Sequence, residues 1–170
     1  MAKEIKIVRK DKMLAGYNGN LESVIVHDAN GNPVATSNGV LVVVEGLMEG
    51  QREVKKARLA TEADKAEDVL FIHNSEVMYD ERLNKLEDFY IEAGKVARAY
   101  RLYDGDIMTL TEDLYADAVA VNDKLAVKTN GLLGKVEEAE TAKVVFEVIE
   151  DSGYELHYKA KAYAVQVKRN

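Results

Sequence analysis

The sequence predicts a mainly β fold, an antiparallel barrel or sandwich built from hairpins, with α+β as the alternative. Three observations carry that reading. Apolar residues recur with a period of two along most of the chain, as in "KVARAYRLY" and "DIMTLT"; β-branched runs such as "LESVIVHD" and "GVLVVVEG" are bounded by Asn, Gly and Asp; and only one stretch, around residues 80–93, shifts to a spacing of three and four. A chain of 170 residues is read as a single domain over 1–170, long enough to bury its own core. The alternative is a split into an N-terminal β region over 1–74 with a basic arm and a C-terminal β-barrel over 95–170, joined by a helical segment over 75–94.

The elements follow in order. Residues 21–28 and 39–46 are strands flanking "ANGNPVATSN", a loop that holds Asn30, Gly31, Asn32 and the single proline, Pro33. "REVKKARLA" alternates Val54, Ala57 and Leu59 imperfectly with basic residues and is a third strand. The acidic spacer "TEADKAED" leads into the buried strand "VLFIHN". Thr61 and Asp64 have the spacing of a helix cap followed by an acid, so a single helical turn is the other reading of that spacer. In "SEVMYDERLNKLEDFYIEAGK", Leu83, Leu86, Phe89 and Tyr90 predict one short amphipathic helix around 80–93, closed by Gly94.

Beyond residue 95 the grammar is that of hairpins. Asp104-Gly105 stands between two alternating runs, and an Asp-Gly pair in that setting predicts a type I′ hairpin, both of whose central residues need positive φ. Asn122-Asp123 forms a polar corner before "KLAV", Asn130-Gly131 supplies another turn, and Asp151-Ser152-Gly153 is read as the turn of a last hairpin. The half from about Lys95 is therefore expected to be the compact barrel or sandwich.

Asp104, Asp106, Glu112 and Asp113 crowd four carboxylates into ten residues. They are read as a turn and the far end of its second strand. "DGDIMTLTED" lacks the glycine at the sixth position and the third acid of a calcium loop, which leaves a surface cation site as the lesser alternative. His27, His73 and His157 are far apart and have no second ligand at metal spacing. "KTNGLLGKV" has Thr129 and Val136 where a phosphate loop needs Gly and Ser or Thr. No Gly-x-Ser-x-Gly elbow is present. No cofactor and no metal is expected, and the chain is read as a non-enzyme. A small hydrolase with dispersed carboxylates is the reading that local motifs do not address.

Composition narrows the partners. With 0 Cys the chain has no thiol chemistry and no disulfides. A net charge of -7 argues against sequence-independent nucleic-acid binding. The N-terminus shows no signal-peptide pattern and the longest apolar run is too short to cross a bilayer, so a soluble cytoplasmic product without membrane contact is expected. The first dozen residues are basic against an acidic body, through Lys3, Lys6, Arg9, Lys10 and Lys12. The nine tyrosines suit half-buried sheet faces and protein contacts alike.

The run "SEVMYDERLNKLEDFYIEAGKVARAYRLYDGDIMTLTEDLY", followed by "VNDKLAVKTNG" and "TAKVVFEVIE", resembles small structural proteins from the head-gene clusters of tailed bacteriophages that infect Gram-positive bacteria. The resemblance covers about Ser75 to Glu150. It implies a capsid decoration or minor head protein on the virion surface, made in the host bacterial cytoplasm, whose partner is the major capsid protein and whose copies self-associate on the lattice. A tail or neck component is the alternative within such a particle. The contact expected from the residues is the basic stretch Lys3, Lys6, Arg9 and Lys10, with Val77, Met78 and Tyr79, apolar and without an evident strand partner, as the competing patch.

Overall fold

The computed structural model describes residues 4–12, 20–78, 82–137 and 141–169. Its strands are β1 Val8–Lys12, β2 Leu21–Val26, β3 Leu41–Leu47, β4 Val54–Leu59, β5 Leu70–Ile72, β6 Ala97–Arg101, β7 Ile107–Thr111, β8 Lys124–Val127, β9 Leu133–Lys135, β10 Val144–His157 and β11 Ala160–Arg169. The fold is mainly β, as predicted. The strands form a closed barrel in the order β2-β4-β3-β5-β6 and an open six-stranded sheet in the order β1-β7-β11-β10-β8-β9. Every pairing is antiparallel except β2 with β4.

The barrel is drawn from residues 21–101, so four of its five strands lie before residue 95 and the half beyond supplies only the closing strand, β6. Its strands are short and bury small residues: Ala57, Ala97 and Ala99 beside Val24, Val42, Phe71 and Ile72, all at 1% exposure or less. A narrow barrel interior holds side chains only when small and large ones alternate. The open sheet packs Met108, Leu110, Leu125, Phe146, Val165 and Val167 into the same cluster of buried residues as the barrel.

Three turns decide which strands meet. Asp104-Gly105 makes no hairpin. β6 already has both edges occupied, by β2 and β5, so β7 has no edge there to join and crosses to the other sheet between β1 and β11. Only Gly105 of the pair has positive φ, at 85°, as at the third residue of a type II turn. The turn is closed by Asp106 N–H donating to Tyr103 O at 3.0 Å and seated on β11 by Gly105 N–H to Val167 O at 3.0 Å. The type I′ geometry appears instead at Asn130-Gly131, with φ of 49° and 73°, and it joins β8 to β9.

The last hairpin turns at Tyr158-Lys159, not at Asp151-Ser152-Gly153. The latter lies inside β10, where the register with β11 shifts on either side of Gly153, whose φ is 54° and whose N–H donates to the Asp151 carboxylate at 2.9 Å. This is a bulge that bends a long hairpin rather than ending a strand.

The helix expected over 80–93 does not form. Residues 80 and 81 lie outside the described residues, and from 82 to 93 the chain makes only a 3-10 turn, Leu86–Asp88. Ile91 is held extended by a two-way backbone bridge to Thr36, at 2.7 and 2.9 Å, which a helix would forbid. The single helical turn read at Thr61 is present as the 3-10 turn Glu62–Asp64. Asp64 accepts hydrogen bonds from the Thr61 N–H and hydroxyl at 2.8 Å each and from both terminal nitrogens of Arg58 at 2.7 and 2.8 Å. Those donors hold its carboxyl well below the usual carboxylate range.

Candidate interaction surface

The segment from Asn74 to Val96 is a long excursion between the barrel strands β5 and β6. Two buried or half-buried asparagines close its neck. Asn38 accepts from the Asn74 N–H at 2.8 Å and donates to Asn74 O at 2.9 Å and to the Glu76 carboxylate at 3.1 Å. Asn74 in turn donates to Val96 O at 3.1 Å and accepts from the Arg98 N–H at 2.7 Å, so the two ends of the excursion are tied across 22 and 24 residues. No residue pattern marks this neck in advance, because its bonds join an Asn at the end of one strand to the backbone before another.

Among the described residues of the excursion, only Phe89 and Ile91 belong to the main hydrophobic core. Val77 is 77% exposed, Leu83 80% and Tyr90 58%. Apolar side chains gathered on an irregular surface segment are the usual mark of a contact with another macromolecule. The ridge Asp88-Phe89-Tyr90 separates two open clefts, one of about 430 Å³ lined by Asn74, Val77, Met78, Asn84 and Lys95, the other of about 320 Å³ lined by Glu4, Lys6, Thr36 and Glu87. Thr36 keeps its Oγ1 buried and without a hydrogen-bond partner among the described residues.

Of the residues singled out from the sequence, Lys3 and Tyr79 lie outside the described residues. Lys6, Val77 and Met78 are brought together around this one ridge, although they are about 70 residues apart in the chain. Arg9 and Lys10 are not in a free arm. They belong to β1, which pairs with β7, and the preceding Ile7 and Val8 are 3% and 6% exposed. Arg9 pairs with Asp11 at 2.6 Å and with Glu155 at 3.1 Å; the Lys10 ammonium sits 3.2 Å from the Tyr100 hydroxyl and 4.8 Å over its ring. Lys6 pairs with Glu4 at 2.7 Å.

A third stretch joins the surface. The β10–β11 hairpin reaches the ridge through His157 Nε2, 2.9 Å from the Glu87 carboxylate, with the exposed Tyr154 and Tyr158 nearby in sequence. Just before the excursion His73 is buried against Tyr100, and burial first, then the Lys10 charge, pushes its pKa down to about 4. The imidazole is thus neutral at physiological pH.

The four carboxylates of 104–113 are dispersed. The Asp104 carboxylate accepts the Arg169 N–H, Asp106 accepts the Tyr103 N–H at 3.0 Å, Asp113 accepts the Ile5 N–H and Glu112 the Lys161 N–H at 3.3 Å. The first two sit before β7 and the last two after it, at opposite ends of a five-residue strand about 16 Å long. Each is spent on a backbone donor, and among the described residues no group of three or more His, Asp or Glu is placed to hold a metal ion. No helix among the described residues is long and apolar enough to cross a membrane.

No protein-family model, curated protein or solved structure matches the chain.

Proposed function

We propose that the protein is a bacteriophage capsid decoration, or minor head, protein that binds the outer face of the major capsid lattice and stabilises the mature head. The observation that carries this reading is that the stretch resembling phage head proteins, about Ser75 to Glu150, opens with the excursion that leaves the barrel's regular structure and presents Val77, Leu83 and Tyr90 to solvent. A scaffold of two packed sheets with an exposed apolar excursion suits a role in which contact area is the function. Binding only the expanded lattice stabilises that lattice by mass action, as any ligand stabilises the state it prefers.

The test is co-sedimentation of the protein with expanded capsid shells that lack it, over a range of ratios. Saturation at a stoichiometry matching a lattice symmetry position, with a rise in the shell's melting temperature, is the expected result; shells that pellet without the protein would sink the proposal. Truncating residues 1–12 does not serve as the companion variant, because it removes β1 and the buried Ile7 and Val8. Lys6→Glu with Val77→Asp probes the surface without touching the core, and loss of saturation is expected.

A further inference from the structure

We infer that the outer wall of the barrel along β6, β2 and β4 is a docking site for an extended acidic segment of a partner protein, lying along β2 with carboxylates at alternate positions. The site uses none of the ridge residues and does not depend on the capsid reading.

Strand alternation fixes which side chains face out. Val24 and Val26 of β2, Ala97 and Ala99 of β6 and Ala57 of β4 are all at 2% exposure or less, so Ser23, Ile25, Arg98 and Lys56, which alternate with them, point away from the barrel interior. Pairing then sets these residues in rows across the wall. Leu21 lies opposite Tyr100, Ser23 between Arg98 and Val54, and Ile25 opposite Lys56. Over the first row the Lys10 ammonium of β1 sits 4.8 Å from the centre of the Tyr100 ring. Each row thus carries one cation, Lys10, Arg98 and Lys56 in turn, and successive rows are two residues, about 6.6 Å, apart along β2.

These are the cations that the fold leaves without acids. Elsewhere on the barrel strands Lys55 pairs with Glu22, Arg58 with Asp64 and Glu45, and Arg101 with Asp68. Lys10, Lys56 and Arg98 are exposed, and none has a carboxylate partner among the described residues; the Lys10 ammonium contacts only Tyr100. Acids on the adjoining stretches are already engaged. Glu45, opposite Lys56 in the bulge between β3 and β4, holds Arg58; Glu76 accepts from Asn38, and Asp11 is bonded to Arg9 and Thr109.

In a chain of net charge -7, three unpaired cations in a line select an anionic partner. Their spacing is that of alternate side chains on an extended peptide, and the half-buried Ile25 and Val54, with Val96 at 43% exposure, offer apolar contacts beside them. Both edges of β2 are taken, by β6 and β4, so the segment is held by its side chains and not as an added strand. A nucleic acid fits less well. The acidic body repels a polyanion, and the ring on this wall, Tyr100, is 7% exposed and covered by Lys10, which leaves no platform for a base.

The experiment is fluorescence anisotropy of the full chain against a labelled peptide of about nine residues, with Glu at alternate positions and Val or Thr between them. Saturable binding that weakens with salt is expected, about tenfold tighter than for a peptide of the same composition with its glutamates contiguous. Lys56→Glu with Arg98→Glu is expected to weaken binding about tenfold or more without moving the melting curve, and Lys56→Gln with Arg98→Gln shows the same loss should the reversed charges disturb the fold. Lys124→Glu with Lys143→Glu, exposed cations on and beside the open sheet, leaves binding within about twofold. No saturation, equal binding of the two peptides, or an equal loss in this last variant overturns the inference. So does a single-stranded oligonucleotide that binds as tightly as the alternating peptide and is lost with Lys56 and Arg98, because the wall then takes phosphates and not carboxylates.

Discussion

The barrel and the open sheet are built from the same alphabet of short alternating strands, yet they meet the demands of β structure in opposite ways. The barrel closes on itself, so none of its five strands is left as an edge. Its cost is a long detour, because closing β5 onto β6 leaves the excursion 74–96 outside the wall. The six-stranded sheet keeps two edges. β1 is guarded by Arg9, Lys10 and a register shift before Lys12. β9 is guarded by its parallel bridge to Tyr115 and by the Ala116 N–H donating to Leu133 O at 2.7 Å. Charges and bulges of this kind are how open sheets avoid pairing with other chains. Among the described residues, exposed apolar side chains sit on the barrel's excursion and on the far part of the β10–β11 hairpin, not on the edge strands β1 and β9, and the candidate contact lies where His157 ties that hairpin to the excursion.

The seam between the two halves is where the comparison breaks most readily. Gly131, at the tip of the β8–β9 hairpin, donates to Ala60 O and accepts from the Leu41 N–H, both at 2.8 Å. An added Cβ would lie 2.5 Å from Leu41 O and 3.0 Å from Leu41 N, on a backbone already at φ +73°. Gly131→Val is expected to cost about 3 kcal/mol or more and to separate the two halves or prevent folding, which a denaturant titration would show as a lost or biphasic transition.

Acid should weaken the barrel before the sheet. The His73 pKa is lowered to about 4 in the folded protein, so the unfolded chain binds that proton more readily. The contribution of the neutral imidazole is fully present above about pH 6.5 and is lost as pH falls from there toward 4, at up to about 1.4 kcal/mol per unit. Melting temperatures of the wild type should fall across that window, and His73→Gln should flatten the decline. An unchanged slope in the variant would assign the acid sensitivity elsewhere. Asp64, held low by Arg58 and Thr61, acts in a separate and more acidic window: its stabilisation is present above about pH 4 and lost below it.

Asp68 bridges the halves by ion pairs, to Arg101 of β6 and at 2.7 Å to Arg169 of β11. Asp68→Ala leaves two partly exposed guanidinium groups without their shared carboxylate. A loss of about 1 kcal/mol is expected, with hydrogen exchange accelerated at the seam and unchanged in the barrel interior. The smallest effect belongs to the excursion. Leu83→Asp should move stability by no more than about 0.5 kcal/mol while abolishing whatever contact the ridge makes, and a large destabilisation would show that Leu83 is packed rather than presented.

Much of this architecture was legible in the sequence. The strands around Val24, Val42 and Phe71 were readable as β-branched or apolar runs bounded by turn residues, that around Ala57 from an imperfect alternation, and the Thr61-to-Asp64 turn because a cap and its acid are local. Lys6, Val77 and Met78 stood out by charge or by apolar character without a partner, and the fold assembles them around one ridge. Strand pairing was beyond reach. Whether Asp104-Gly105 makes a hairpin depends on whether β6 has an edge to offer, and that edge is consumed by β2, some 75 residues earlier. The helix over 80–93 had the right spacing, but the backbone bridge between Ile91 and Thr36 outweighed it. The chain by itself determined most of its strands and several of its turns, because propensity and alternation act over a few positions; tertiary structure alone decided that Asp151-Ser152-Gly153 is a bulge inside β10 and not a turn, which strands meet, where the barrel closes and which loop is left outside it, because each hydrogen-bonding edge can be used only once.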